Sequence, residues 1–365
     1  MTCPQQTGFA SYKRRPQSEV LADILKKPLD RPAAWRGEQF AGTDDWITPF
    51  NRRQIQEIDS AVQGVMSRRI PLFELGAEDF PLPTLSKVLA GLRDVIEGGR
   101  GFIVLRGLPV NRWTAAQTEI AFWGLGSSLG VPEKQDAEGN LLHHVRDTGK
   151  DLETDQNARG YETTLRLPYH NDGADCFMLL CRRSAKRGGR SRLVSAVEAF
   201  NQVLLRRPDL AEVLQQDFHF DARGQQMRGE GRCQVHPIYT YHEGHLNVIY
   251  KRDYIEFAQR FEEVPRLTDR QIAAMDLLDE VCNRPGIYIE FDLQPGDIQI
   301  ANNYDTLHAR TAFEDEQDSN RKRHCLRLWL TLPNGRPLPP VFERTREFGR
   351  TYARRVKPHA GSSAS

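Results

Sequence analysis

Apolar positions along the chain recur at two spacings, first about 3.6 residues and later two. From Arg52, Ile55, Ile58, Val62 and Val65 fall at helical spacing, and a second helix is predicted from Thr84 through Leu85, Val88, Leu92 and Val95 to the Gly98-Gly99 stop. "GFIVLRGLPV" (Gly101 to Val110) is a short β-rich run bounded by glycines. Thr114 to Gln117 then forms a T-x-x-Q capping box ahead of Ile120, Phe122 and Leu125. "GGRSRLVSAVEAF" predicts a glycine turn, a strand and a helix through Leu204, and "RRPDLAEVLQQ" begins another helix. Strands dominate after that: a hairpin around Glu243-Gly244 in "PIYTYHEGHLNVIYKRDYI", then "GIYIEFDL", "GDIQIANN" and "RHCLRLWLTL", interrupted by a helical Leu267 to Val281. Short antiparallel strands with glycine turns and inserted helices predict an α+β fold. Its core is a jelly-roll barrel with an N-terminal α/β extension and a helical cover. Residues 1–18 and 356–365 are polar and rich in small residues, as frayed ends would be, which leaves 19–355 as a single domain.

Composition narrows the partner. With 50 Lys and Arg against 49 Asp and Glu, the formal charge is +1, so no global field recommends nucleic acid or an anionic membrane; a small molecule is expected. No apolar stretch reaches the roughly 20 residues that cross a bilayer, and the first residues lack the apolar core of a signal peptide, so a cytoplasmic location is expected. The oligomeric state stays open. Cys3, Cys176, Cys181, Cys233, Cys282 and Cys325 are scattered without a CxxC pair, which suggests buried free thiols rather than a zinc site or a disulfide framework.

Candidate chemistry begins at "LRLPYHNDGADCFMLL", Leu165 to Leu180. On a strand, residues i and i+2 share a face, so His170 and Asp172 would project together. One H-x-D triplet is weak, and a second, His219-Phe220-Asp221, leads into a polar loop and reads as a solvated pair. The first is strengthened by "LQPGDIQIANNYDTLHARTAF", where Ile298 and Ile300 read as buried strand positions and His308 follows at the next turn. Two histidines and one carboxylate on one face of a divalent ion suit non-haem Fe(II), because co-ligands and O2 can take the open positions. Such a site is about one unit positive and favours an anionic co-ligand. Arg323 and Arg327 in "RKRHCLRLWL" share a strand face, and an arginine fork grips a carboxylate in two parallel hydrogen bonds. Taken singly, His170 reads as a hydrogen-bonded structural histidine and Arg323 as a solvated strand residue. Their order and contexts favour the metal reading.

His170-Asn171-Asp172, the GG-x-S turn at Gly188 to Ser191, "PGDIQIANNYDTLHAR" and the R-x-x-x-R of Arg323 to Arg327 resemble the taurine dioxygenase and clavaminate synthase (TauD/TfdA-type) superfamily of Fe(II)/2-oxoglutarate-dependent oxygenases. The resemblance implies a double-stranded β-helix. It also implies that His170, Asp172 and His308 bind iron, that Arg323 holds the distal carboxylate of 2-oxoglutarate with help from Ser191, and that Arg327 lies nearer the substrate. Two features depart from the family pattern: Asn171 stands where threonine is common, and the interval from His308 to Arg323 is slightly long, which allows the carboxylate grip to shift to Arg327. The implied reaction consumes O2 and 2-oxoglutarate and hydroxylates an unactivated C–H, with succinate and CO2 as co-products. Desaturation or cyclisation can run on the same iron. The implied substrate is small, polar and amino-acid-like, with Arg327, Asp175, Tyr161 and Thr163 as candidate contacts and Tyr250 and Arg252 as supporting residues. Two other classes compete: a zinc hydrolase on the same three ligands, and a non-catalytic jelly roll that senses a small acid.

Overall fold

The computed structural model describes residues 23–150, 159–226 and 231–356. Of the ends expected to fray, 1–18 and 356–365, all but Val356 lie outside these; Val356 closes a helix, Gly349–Val356, and so belongs to the folded chain.

Both early helices form where the apolar spacing places them. Arg52–Arg68 starts at Asn51, whose side chain accepts the Gln54 N–H at 2.9 Å, and buries Ile58, Ala61, Val62 and Val65. Leu85–Glu97 stops at Gly98, and Ala115–Leu129 carries the expected capping box, with the Gln117 N–H on Thr114 Oγ1 at 3.2 Å. These three helices cover one face of a seven-stranded sheet in the order Ile47–Pro49, Phe102–Arg106, Ile298–Asn302, Cys176–Arg183, His324–Thr331 and Val131–Glu133. Leu142–Val145 also pairs with His324–Thr331. A second sheet runs Tyr288–Phe291, Ser191–Ser195, Thr306–Arg310, Leu167–His170, antiparallel throughout.

Period-two alternation sorts the side chains into layers. Ile103, Leu105, Met178, Leu180, Ile298, Ile300, Leu326, Leu328 and Leu330 face the three helices. The alternate residues Phe102, Val104, Phe177, Cys181, Ala301, Cys325 and Trp329 meet Leu193, Ile289 and Phe291 of the second sheet in an inner core. Tyr169, Val194, Leu307 and Ala309 point outward from that second sheet into a further core with Phe200, Leu210 and Leu278 of the helices Ala196–Arg206, Pro208–Val213 and Asp269–Asn283. The molecule is thus a mixed helix and sheet structure, with two facing sheets between helical layers. Because Tyr169, Leu307 and Ala309 point outward, His170, His308 and Arg310 must point into the space between the sheets.

Three local expectations change. His308 lies within a strand, Thr306–Arg310, rather than at a turn. The strand carrying His170 ends there, so Asp172 reaches the site through a corner and not through strand periodicity. His219-Phe220-Asp221 is also a strand, Asp217–Asp221, paired with Cys233–Pro237; Asp221 is buried, accepts the Arg223 N–H at 2.7 Å and faces Arg260 at 3.0 Å, so it is not solvated.

Candidate metal centre

His170 and His308 sit directly opposite each other on neighbouring strands, with ring centroids 4.1 Å apart. One ligand atom from each of His170, Asp172 and His308 lies within 4.8 Å of the others, and this is the one such group of three His, Cys, Asp or Glu side chains among the described residues. His170 Nδ1 is 2.8 Å from the Pro168 carbonyl, which can only accept, so that nitrogen donates and Nε2 is left as a lone-pair donor. His308 Nδ1 is buried without a partner, and the His308 ring lies 4.3 Å from that of Phe177.

The corner holding Asp172 is built by two asparagines. Asn171, fully buried, donates to the Val248 and Asn303 carbonyls at 2.9 Å each and accepts the Tyr250 N–H at 2.8 Å. Asn303 accepts the Asp172 N–H at 3.2 Å and donates to the Gly173 carbonyl at 2.5 Å. Gly173 is required here: a Cβ would lie 2.6 Å from the Trp329 ring and 2.8 Å from the Glu347 carbonyl. Ala174 turns the corner at φ 58°, an uncommon left-handed conformation for a residue with a Cβ.

Charge fixes the protonation of the three groups. Burial alone would raise the Asp172 carboxyl, but the Arg327 guanidinium, the strongest of the charges around it, holds it well below the usual range. Burial pushes both imidazoles down, and His308 is lowered further by His170. The result is one ionised carboxylate and two neutral imidazoles, the donor set a divalent metal requires. The residues fit the ion.

Arg323, Cys325, Arg327 and Trp329 alternate onto the inner face of one long strand and its approach. Arg327 Nη1 donates to both Asp172 oxygens at 3.0 and 3.2 Å, and its Nε to Gln135 Oε1 at 2.8 Å. Its guanidinium lies 5.0 Å from the Tyr161 ring and 5.2 Å from the Trp329 ring. Arg323 is buried with Nη1 unpartnered, 5.3 Å from the Phe313 ring. Ser191 is buried and donates to Gln299 Oε1 at 2.9 Å. Sequence reasoning missed Arg310. It anchors Nη2 on the Thr163 and Leu165 carbonyls at 2.8 and 2.6 Å, leaves Nε unpartnered, and lies 4.7 Å from the same Phe313 ring. Its pKa is pushed down to about 9, by burial first and Arg323 second. Two buried guanidiniums flanking one ring call for an anion. Only its place two residues after His308 could have pointed to Arg310.

Among the candidate substrate contacts, Tyr161 is brought to the site, beneath Arg327 and 3.3 Å from His143 Nδ1. Thr163 is buried in the same turn and acts through its backbone carbonyl on Arg310. Asp175 is not brought in. Its fully buried carboxylate accepts from Tyr304 Oη and the Leu332 N–H, both at 2.7 Å, and from Arg355 at 2.5 Å. Tyr250 donates to Asp279 at 2.8 Å, and Arg252 pairs with Asp276 and Asp279, which makes both structural. Lys251, also missed, bridges to His170 through the backbone and pairs with Glu347 at 2.7 Å.

Residues 68–329 match the family described as "taurine catabolism dioxygenase TauD, TfdA family". FR-33289 synthase of Streptomyces rubellomurinus is 31% identical over 327 residues, covering 87% of this chain and 95% of its own. The taurine hydroxylase-like protein SAT17 of Stachybotrys chartarum is 29% identical over 313 residues, 83% of this chain and 80% of its own. In fold, an asparagine oxygenase complexed with Fe(II), 2S,3S-3-hydroxyasparagine and succinate superimposes with a TM-score of 0.62 at 18% identity, covering 86% of this chain and 97% of that one. The non-heme iron oxygenase OrfP with Fe and alpha-ketoglutaric acid gives 0.58 at 15% identity, covering 78% and 94%. The match spans well over half the chain and includes all three clustered donors, so the protein belongs to the taurine catabolism dioxygenase TauD, TfdA family and is an Fe(II)/2-oxoglutarate-dependent dioxygenase.

Proposed function

We propose that His170, Asp172 and His308 hold the iron, that Arg323, assisted by Ser191 and Arg310, holds the distal carboxylate of 2-oxoglutarate, and that the enzyme hydroxylates a small, polar, amino-acid-like molecule. The facing sheets are then the two halves of a double-stranded β-helix. The observation that carries the reading is the convergence of three donor atoms within 4.8 Å, on the same inner face as an arginine with an unpartnered buried nitrogen. Bound iron and 2-oxoglutarate supply the oxidising power, with succinate and CO2 as co-products.

The side chains have positioning work to do. His170 is held in one tautomer by the Pro168 carbonyl, and Asn171 and Asn303 fix the corner so that Asp172 keeps its direction. Arg327 braces Asp172 and, with Tyr161 beneath it, offers a guanidinium edge to a substrate carboxylate. The inner core around Phe177 and Trp329 excludes water from that side. Asp175 has no part in binding the amine, since its oxygens are already taken.

The test is incubation with Fe(II), 2-oxoglutarate, O2 and a panel of amino acids and derivatives, followed by mass spectrometry. A product that gains one oxygen with matching succinate is expected, and neither should form in His170→Ala or Asp172→Ala. Full turnover in either variant would overturn the ligand assignment.

A further inference from the structure

The mechanism leaves two buried thiols unused. Strands Cys176–Arg183 and His324–Thr331 run antiparallel, with Cys325 directly opposite Cys181. The Cys181 N–H donates to the Asp297 carbonyl at 2.9 Å and its carbonyl accepts the Gly296 N–H at 2.8 Å, both on the side away from Cys325. The two cysteines therefore exchange no backbone hydrogen bonds, and they lie beside a bulge where the register shifts between His324 and Cys325. Residues opposite each other at such a position bring their side chains close, the arrangement a cross-strand disulfide needs. Both side chains belong to the inner core, and both cysteines are free. Cys176 and Cys233 face Leu330 and Asp221 across their strands instead.

One of the two, Cys181, also has a path to solvent, while Cys325 is fully buried. A cavity of about 250 Å³ is lined by Cys181, Gly188, Gly189, Leu293 and Arg323, and it reaches the surface at exposed Lys186. The Cys181 thiol donates to the Leu293 carbonyl at 3.5 Å; the Cys325 thiol is drawn down by Cys181 first and then, against burial, by Arg323 and Arg310, while that of Cys181 is pushed up. The pair thus sits beside the guanidiniums assigned to the 2-oxoglutarate carboxylate.

We propose that Cys181 and Cys325 are a redox-sensitive pair that hydrogen peroxide closes into a cross-strand disulfide, and that the closed form binds 2-oxoglutarate less tightly. The second half rests on the assignment of Arg323 to that carboxylate. The sulfur of Cys181, which lines the cavity, attacks one peroxide oxygen, the O–O bond breaks, and the departing hydroxide takes up the thiol proton to leave as water. The Cys325 sulfur, losing its proton, then displaces the hydroxyl from the Cys181 sulfenic acid, which leaves as a second water. Two thiols have lost two electrons and one peroxide has gained them. Arg323 lies two residues before Cys325 on the same face, so drawing Cys325 toward Cys181 moves the guanidinium that grips the co-substrate.

The experiment treats the full chain with hydrogen peroxide, blocks remaining thiols under denaturing conditions and maps the peptides by mass. A linked Cys181–Cys325 peptide is expected, lost on treatment with dithiothreitol and absent from Cys181→Ser and Cys325→Ser. The affinity for 2-oxoglutarate, measured anaerobically with Fe(II), should fall about tenfold in the oxidised protein and recover on reduction. Blocked thiols at both positions after peroxide would overturn the disulfide. An unchanged affinity in the linked protein, or an equal loss in peroxide-treated Cys181→Ser, would overturn the coupling. Failure of both the oxidised and the reduced protein to bind 2-oxoglutarate would refute the role of Arg323 and so the coupling, while the peptide map still decides the disulfide.

Discussion

Arg323→Leu removes a guanidinium whose Nη1 has no partner within the protein, so the loss should fall on the co-substrate rather than on the fold. A hydrogen bond to a charged group contributes about 1.5–3 kcal/mol, and each 1.4 kcal/mol is about a factor of ten in affinity. One lost bond therefore weakens 2-oxoglutarate by about 10- to 150-fold, and a lost fork by more. One feature pulls the figure back: Arg310 flanks the same Phe313 ring and would still offer a cation to the carboxylate. The expected result is a rise of about 10- to 100-fold in the dissociation constant, with little change in thermal stability. Arg323→Lys should recover only part of it, since an ammonium keeps the charge but not the planar fork. The assay is an anaerobic titration of the Fe(II) protein with 2-oxoglutarate, following the weak visible charge-transfer band of the chelate. Wild-type affinity in Arg323→Leu, with the loss appearing instead in Arg327→Leu, would refute the reasoning and move the carboxylate grip four residues along the strand.

Other consequences can be checked separately. Arg336, whose side chain is 0% exposed, holds Glu97 and Asp305, so Arg336→Met strands two buried carboxylates and should cost about 3–5 kcal/mol of unfolding free energy by denaturant titration, with no compensation from added salt. His236 is pushed down to about 4 by burial, so the fold prefers the neutral ring. Its contribution is complete above the unfolded value near 6.5 and is lost as pH falls toward 4; unfolding free energy should drop on the order of 2 kcal/mol between pH 7.5 and 5, and His236→Gln should flatten that slope. Asn171→Ala leaves two buried carbonyls and one N–H unpaired and loosens the Asp172 corner, so calorimetric Fe(II) affinity should fall about tenfold while 2-oxoglutarate still binds any iron-loaded fraction. Asp175→Asn should lower the melting temperature without raising KM for the substrate; a raised KM with unchanged stability would restore the substrate role first expected of it.

The elements were legible wherever one periodicity governed a segment. Ile58, Val62 and Val65 make one helical stripe, and the alternating Leu326, Leu328 and Leu330 mark a strand with one face against the helices. That His170, Asp172 and His308 belong together was legible by residue type and order, but the geometry that brings them together was not. Asp172 comes in through a corner set by Asn171, Gly173 and Ala174, where tertiary hydrogen bonds to Val248 and Asn303, far along the chain, override local spacing. Asp175 is placed away from the three clustered donors for a related reason. An acidic residue close in sequence to a candidate ligand reads as functional, whereas here the chain turns between them and carries Asp175 to Tyr304, Leu332 and Arg355.

Arg310 shows what a linear reading omits. On the strand that carries His308, its guanidinium ties down the Thr163 and Leu165 carbonyls, and the same turn places Tyr161 under Arg327. A carboxylate drawn between Arg310 and Arg323 would neutralise two buried cations and remove the reason for Arg310 to leave its position. The segment bearing Tyr161 is then held more firmly when the co-substrate site is filled. If that coupling operates, Arg310→Leu should weaken 2-oxoglutarate about tenfold and also raise KM for the substrate. Arg310→Lys, which keeps charge but cannot span both carbonyls, should recover the first effect more than the second. Steady-state kinetics with each co-substrate varied at saturation of the other separates the two, and equal recovery of both by lysine would show that Arg310 acts on charge alone.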